Sequence, residues 1–434
     1  MRKINVITLG CSKNTVDSEH VMARLAAAGY EVVNDSDRTD AQVVVINTCG
    51  FIADAKQESI EMILRAAEAK KAGKIEELFV FGCLSERYAD ELRKEIPEVD
   101  AYFGARSWEG IFEKLNAKNY KELLTERRLT TPKHYAYLKI GEGCNWMCGY
   151  CAIPLIRGRH VSVPMEQIEE EARKLAARGV RELIVIAQDT TYYGLDLYGE
   201  RKLAELLRRL CRIEGIEWIR LHYAYPTEFP DDAIEVMATE PKICKYLDIP
   251  FQHISDAQLK AMRRRHNKAE AYALIDRLRK AIPDLVIRTT LMVGYPGETE
   301  QDFEELMQFV RDVKFDRLGV FTYSEEEGTY SAQKLQDDVP QEVKEERQAR
   351  IMNLQREISL ENNRARVGNV ERVIIDSRQG DFYVGRTQYD SPDVDEEILI
   401  PVEQRRLMKG HFYKARITSA ADYDLYAEVL EHEK

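Results

Sequence analysis

No stretch of this chain reaches the roughly 18 consecutive apolar residues that suggest a membrane helix. The opening "MRKINVITLGC" has neither the apolar region nor the small-residue cleavage site of a signal peptide. A cytoplasmic protein with no membrane partner is therefore expected. Basic excess is missing too: 63 Lys and Arg stand against 75 Asp and Glu, a net charge of −12. Nucleic-acid binders usually carry the opposite balance, so a basic partner fits at least as well as RNA. Repeats and low-complexity tracts are absent. There is no phosphate-binding loop either, because "VGYPGET" (293–299) lacks the lysine such a loop needs. The eight cysteines do not suit a disulfide scaffold in a chain of 434 residues. Clustered thiols here point instead to metal or redox chemistry.

That length exceeds one ordinary domain, and three regions can be read. Residues 1–125 alternate strands ("INVITLG", "AQVVVINT", "ELFVFG") with helical stretches, a βαβαβ pattern that predicts a parallel sheet. Each strand runs directly into a cysteine: Cys11, Cys49 and Cys83. Consecutive parallel strands end at one edge, where open α/β sheets bind ligands, so these three thiols should converge.

Residues 134–362 hold six strand-like segments, from "YAYLKIG" (135–141) to "RLGVFTYS" (317–324), separated by helices. Six units are too few for a full eight-unit barrel, so an open six-stranded (β/α) barrel is expected. Residues 365–434 carry short alternating segments ("ERVIIDS", "DFYVGRTQ", "EEILIPV", "GHFYKARITSA"), which predict a small β-barrel.

At the end of the first barrel strand, "EGCNWMCGYC" places Cys144, Cys148 and Cys151 within eight positions. A zinc site would want a fourth donor, for which His160 is the candidate. An iron–sulfur cluster held by three thiolates leaves one iron open, and disulfide redox is the third alternative. The cluster is favoured. Cys211 and Cys244 read as core residues.

The Cys-x3-Cys-x2-Cys spacing, with aromatic Tyr150 before the last cysteine, resembles the radical S-adenosylmethionine (SAM) superfamily. The resemblance implies a [4Fe–4S] cluster on Cys144, Cys148 and Cys151. It implies that the open iron binds SAM by its amino and carboxylate groups, and that SAM is cleaved to a 5′-deoxyadenosyl radical. With Cys11, Cys49 and Cys83 ahead and a small β-barrel behind, the whole chain is similar to the radical SAM methylthiotransferases. That implies a second [4Fe–4S] cluster on the first triple, linked to sulfur delivery. It also implies a substrate-recognising barrel of the TRAM type and an external electron donor.

Three stretches, "LGCSKNTVDSE" (9–19), "DIPFQHISDAQLKAMRR" (248–264) and "RTTLMVGYPGET" (288–299), are similar to one branch of that family. That branch modifies the β-carbon of an aspartate on the twelfth small-subunit ribosomal protein. The alternative is a tRNA-adenosine methylthiotransferase. From Arg364 to Lys434 there are 11 Lys and Arg against 14 Asp and Glu, and "DSPDVDEE" (390–397) is strongly acidic. Such a surface suits a basic ribosomal protein better than RNA.

The remaining candidates lie at strand ends. Gln188 with Asp189, and Gln252 with His253, end the second and fourth barrel strands and face its mouth, where a carboxamide or carboxylate suits SAM; His253 reads more readily as structural. Gly294 opens "GYPGET", whose amides could face an anionic group, and the family resemblance adds a SAM contact there. Arg157 and Arg159 are candidates for a carboxylate. Lys13 and Asn14 adjoin Cys11, where positive charge would lower a thiol pKa. No catalytic acid, base or nucleophile is assigned, and a monomer is expected.

Overall fold

The computed structural model describes residues 2–38, 40–117 and 122–432. Its first unit is a parallel sheet of five strands: β1 (Lys3–Thr8), β2 (Glu31–Asn34), β3 (Val43–Thr48), β4 (Glu77–Gly82) and β5 (Ala101–Tyr102). The central strand reads VVVINT and is buried throughout, as a strand covered on both faces should be. Helices α1 (Ser12–Ala27), α2 (Ala53–Lys71) and α3 (Cys83–Glu95) cover the faces. The order β2-β1-β3-β4-β5 reverses direction between β1 and β3, and that switch point is where such sheets open a crevice. Three strands were anticipated here. The two missed, β2 and β5, are four and two residues long, too short to show a period.

The second unit is an open sheet of six parallel strands: β6 (Tyr135–Lys139), β9 (Glu182–Ile186), β10 (Trp218–Leu221), β11 (Ile243–Asp248), β12 (Val286–Val293) and β13 (Arg317–Thr322). Strands β7 (Gly141–Glu142) and β8 (Val161–Ser162) form a separate antiparallel ribbon that brackets the cysteine loop. Burial alternates strictly along β12, so every second side chain faces the lumen. The long helix Gln341–Arg366 packs against β13, and its Gln355 Nε2 donates to the Phe315 carbonyl at 2.8 Å.

The third unit is a closed barrel of β14 (Val370–Gln379), β15 (Phe382–Arg386), β16 (Ile398–Pro401), β17 (Phe412–Ala420) and β18 (Leu425–His432). Four strands were anticipated. The fifth, β18, closes the barrel by pairing with both β16 and β17, which removes the open edges.

The run 390–397 does not form the acidic surface expected of it. Asp390 is fully buried against Arg317, at 2.6 Å. Glu396 pairs with the same arginine at 3.0 Å, and Asp395 with Arg288 at 3.3 Å. Three of the five carboxylates are thus turned onto barrel arginines, docking the small barrel on the large one. Arg386 of β15 adds an ion pair to Glu182 of β9, 2.8 Å, with both side chains buried.

Candidate functional site

The first thiol triple lies at the sheet's switch edge. Cys11 precedes α1 as its N-cap, Cys49 follows β3 and Cys83 begins α3. Glycine beside each cysteine lets the segments close up. A Cβ on Gly10 would lie 3.1 Å from the Cys49 sulfur, and one on Gly82 would lie 2.6 Å from the Thr48 carbonyl oxygen. Both glycines have left-handed φ, +96° and +106°. Cys49 and Cys83 are buried and Cys11 is exposed. Burial pushes the Cys83 thiol up to about 11 against the pull of Arg157, and the neighbouring Cys11 and Cys49 add to the rise.

The second triple sits on the loop between β7 and β8. Met147 takes a left-handed φ of +54°, and the Gly149 amide donates to the Met262 carbonyl at 2.8 Å, which tightens the loop. Burial raises Cys144 to about 12 and Cys151 further still, with Cys148 adding to both rises. Thiols so disfavoured as anions are poor nucleophiles by themselves. They suit ligation, where a metal centre's positive charge replaces the proton.

Among the described residues no three His, Cys, Asp or Glu side chains converge closely enough to hold one metal ion. His160, the zinc alternative, has its Nε2 engaged by Ser162 Oγ at 3.1 Å, while its Nδ1 is buried with no partner among the described residues.

The loop is clamped by groups the sequence reading passed over. Trp146 stacks on Tyr225 (ring centroids 4.2 Å apart, planes 7° from parallel) and donates to Asp189 at 2.6 Å. Arg264 donates to Cys148 Sγ at 3.7 Å and lies over the Tyr225 ring. Asp189 also accepts from the Thr191 amide and hydroxyl, so it anchors the loop and is not the free ligand anticipated.

Arg157 is also corrected. The expected partner is a carboxylate of SAM or of the substrate, and the side chain is instead buried on partners within this chain. It donates to Asp17 (2.8 Å), Glu142 (3.0 Å), Asn14 Oδ1 (2.5 Å) and Cys83 Sγ (3.3 Å). Lys139 pairs with the same two carboxylates. Burial would raise Glu142, but Lys139 and Arg157 outweigh it and hold the carboxyl at about 2. Arg159 is exposed. Lys13 and Asn14 are both buried beside Cys11, and Asn14 donates to the Leu9 and Thr48 carbonyls.

Of the SAM candidates, Gln188 Nε2 donates to Glu142 Oε1 at 2.5 Å, while its Oε1 is buried with no partner among the described residues. That orphan acceptor suits a ligand's ammonium group. Gln252 follows β11 with φ +71° and is held to β12 by its backbone, whose amide donates to the Thr290 carbonyl and whose carbonyl accepts from the Met292 amide. Tyr150 meets Tyr295 edge-on, ring centroids 6.4 Å apart. The Gly294 amide donates to Glu298 Oε2 at 2.9 Å, so the anion it faces belongs to this chain. His253 is fully buried, with Nε2 at 3.4 Å from the same Glu298 oxygen, a structural residue. Cys211 and Cys244 are buried in the core.

All three units meet at a cleft of about 520 Å³ that exposes Cys11 to Tyr137, Tyr223, Asp248 and Arg288 of the barrel and Asp393 of the C-terminal unit.

Known proteins match this architecture. Residues 138–310 match the radical SAM superfamily, residues 3–104 the uncharacterized protein family UPF0004, and residues 367–430 the TRAM domain. Among curated relatives, the ribosomal protein uS12 methylthiotransferase RimO of Bacteroides thetaiotaomicron is 54% identical over 99% of this chain and 98% of its own length. The protein of that name from Porphyromonas gingivalis is 55% identical over 99% of both chains. In Christiangramia forsetii it is 55% identical over 99% of this chain and 94% of its own. Among solved structures, the radical SAM methyltransferase TsrM of Kitasatospora setae superposes with TM-score 0.55 at 14% identity, covering 74% of this chain and 73% of its own. The cobalamin-dependent SAM radical enzyme OxsB does so with TM-score 0.53 at 11% identity, covering 82% and 56%. These two likenesses show the fold alone.

Proposed function

Because the chain belongs to the family of ribosomal protein uS12 methylthiotransferases named RimO, we propose that it adds a methylthio group to the β-carbon of an aspartate on uS12. Residues 1–125, 134–362 and 365–434 act as its three domains. The superfamily brings SAM and one [4Fe–4S] cluster, for which Cys144, Cys148 and Cys151 are the ligands. A second [4Fe–4S] cluster takes Cys11, Cys49 and Cys83.

When bound, these groups and SAM supply the radical, the sulfur and the methyl group that no side chain can offer. The chain's own residues hold and orient. Gln188 offers its unpaired carboxamide oxygen to SAM's ammonium, and Gln252 and Tyr150 border the same mouth. Gly294 contributes shape, since a Cβ there would lie 2.2 Å from Lys344 Cγ. Trp146, Asp189 and Arg264 keep the cysteine loop in place. Arg157 ties the two thiol triples to one rigid network.

The reading rests most on one observation: the cleft where all three units meet sets exposed Cys11 against the barrel's inner face. A protein substrate reaching that cleft implies a cytoplasmic enzyme, and the reaction draws electrons from an external donor. The tRNA-adenosine alternative is not favoured, because the full-length relatives are named for uS12. No helix of the described residues is long and apolar enough to cross a membrane.

The test combines an anaerobic iron and sulfide count, electron paramagnetic resonance and mass spectrometry of uS12. Wild type should hold about eight irons and each triple Cys→Ala variant about four. Wild type should add a methylthio mass to uS12, and neither triple variant should. Four irons in wild type, all lost with the 144/148/151 triple, would overturn the second cluster. Modified tRNA adenosine in place of uS12 would overturn the substrate.

A further inference from the structure

Helix α1 begins at Ser12 with Cys11 as its N-cap, no side chain caps it, and its first turn carries no acidic residue. Its first amides have no intrahelical acceptor and present partial positive charge. Two further groups beside them lack anionic or hydrogen-bonding partners among the described residues. Ser12 Oγ is buried and makes no hydrogen bond. Lys13 is only 7% exposed, and the contact found for its ammonium is the Tyr223 ring, 2.9 Å from the centroid. A cation so buried usually faces a carboxylate, because an aromatic face offsets only part of its lost hydration.

Asp393 lines the same cleft with no ion pair among the described residues, and the other charges around Lys13 are engaged. Asp248 pairs with Arg288 at 3.1 Å, and Arg288 with Asp395. Asp17 is held by Lys139 and Arg157. His222 is bonded to Ser391 Oγ at 2.9 Å, and burial keeps it neutral, with Arg220, Arg288 and Lys13 adding to that effect. An unmatched positive charge is left beside Cys11. Ser12 lines the three-domain cleft, as does the Tyr223 ring on which Lys13 rests.

We infer that Lys13, Ser12 and the N-terminus of α1 form the seat for the side-chain carboxylate of the target aspartate, presented through the cleft by a loop of uS12. This rests on the function proposed above. A carboxylate there would pair with the ammonium, accept from the helix amides and from Ser12, and leave its β-carbon beside Cys11. A carboxamide would lose the ion pair.

The test uses the holoenzyme and two forms of recombinant uS12, with Asp or Asn at the modified position, in equilibrium binding. Iron and sulfide are counted on the same samples. Wild type should bind the Asp form roughly 10- to 100-fold more tightly, the range for a hydrogen bond to a charged group. Lys13→Gln should bind both forms at the Asn level with its iron intact, and Lys13→Arg should keep most of the preference. A Lys13→Gln enzyme that still prefers Asp overturns the seat. So does one that loses four irons, because Lys13 would then serve the first thiol triple. Wild type that binds both forms alike also overturns the seat, while leaving uS12 as partner. Wild type that binds neither form overturns the proposed function and the seat with it.

Discussion

Arg157→Met should loosen the docking of the N-terminal sheet on the barrel. The arginine is 2% exposed and bridges Asp17 of α1 to Glu142 of β7. Methionine keeps much of its length and removes the charge. Removing one partner of a buried ion pair costs about 3–5 kcal/mol. Lys139 remains on both carboxylates, which favours the lower end. The depressed Glu142 carboxyl, held down by Lys139 and Arg157 against burial, points the same way.

The sign follows from the direction. A depressed carboxylate contributes stability above its ordinary range, and loses it as pH falls through 4.5 toward 2. The penalty of Arg157→Met should therefore be full at pH 7 and shrink in acid. Hydrogen exchange of α1 is the assay, because that helix carries Asp17 and lies at the interface. About 3 kcal/mol is roughly a 100-fold loss of protection. Unchanged protection of Ser12–Ala27 at pH 7 would refute the reasoning, and Lys139 alone would then hold the interface.

Two further outcomes follow from the packing. Burial raises Glu396 to about 7 despite Arg317. An acid raised on folding costs stability as pH climbs from 4.5 to 7, so Glu396→Gln should flatten that fall in the C-terminal barrel's docking, read as thermal stability against pH. Gly82→Ala would set a Cβ 2.6 Å from the Thr48 carbonyl at a φ of +106°. It should displace Cys83 and cost the first triple its iron, with about four irons left on the barrel.

The thiol triples and the six β/α units were legible because their signals are local. Cysteines directly after strands, or three and two residues apart on one loop, are visible in a few neighbouring positions. Runs such as VVVINT and ELIVI announce buried parallel strands by composition alone. Short strands were not legible. β2 and β5 offer four and two residues, and β18 takes its meaning from closing a barrel with β16 and β17.

Charge was the least legible property. The run 390–397 reads as a solvated acidic surface until Arg317 and Arg288 are found beneath it. Arg157 reads as a free cation beside the cysteine loop, yet its partner Asp17 lies 140 residues away. Lys13 reads as a tuner of Cys11, and only the fold brings Tyr223 under it and leaves it without a carboxylate among the described residues. Residue type and spacing were enough to single out six thiols as candidate ligands, because gathered thiols favour ligation. What each charge does depended on the fold, because a Coulomb interaction is set by distance and burial, and those arise between segments far apart in the chain.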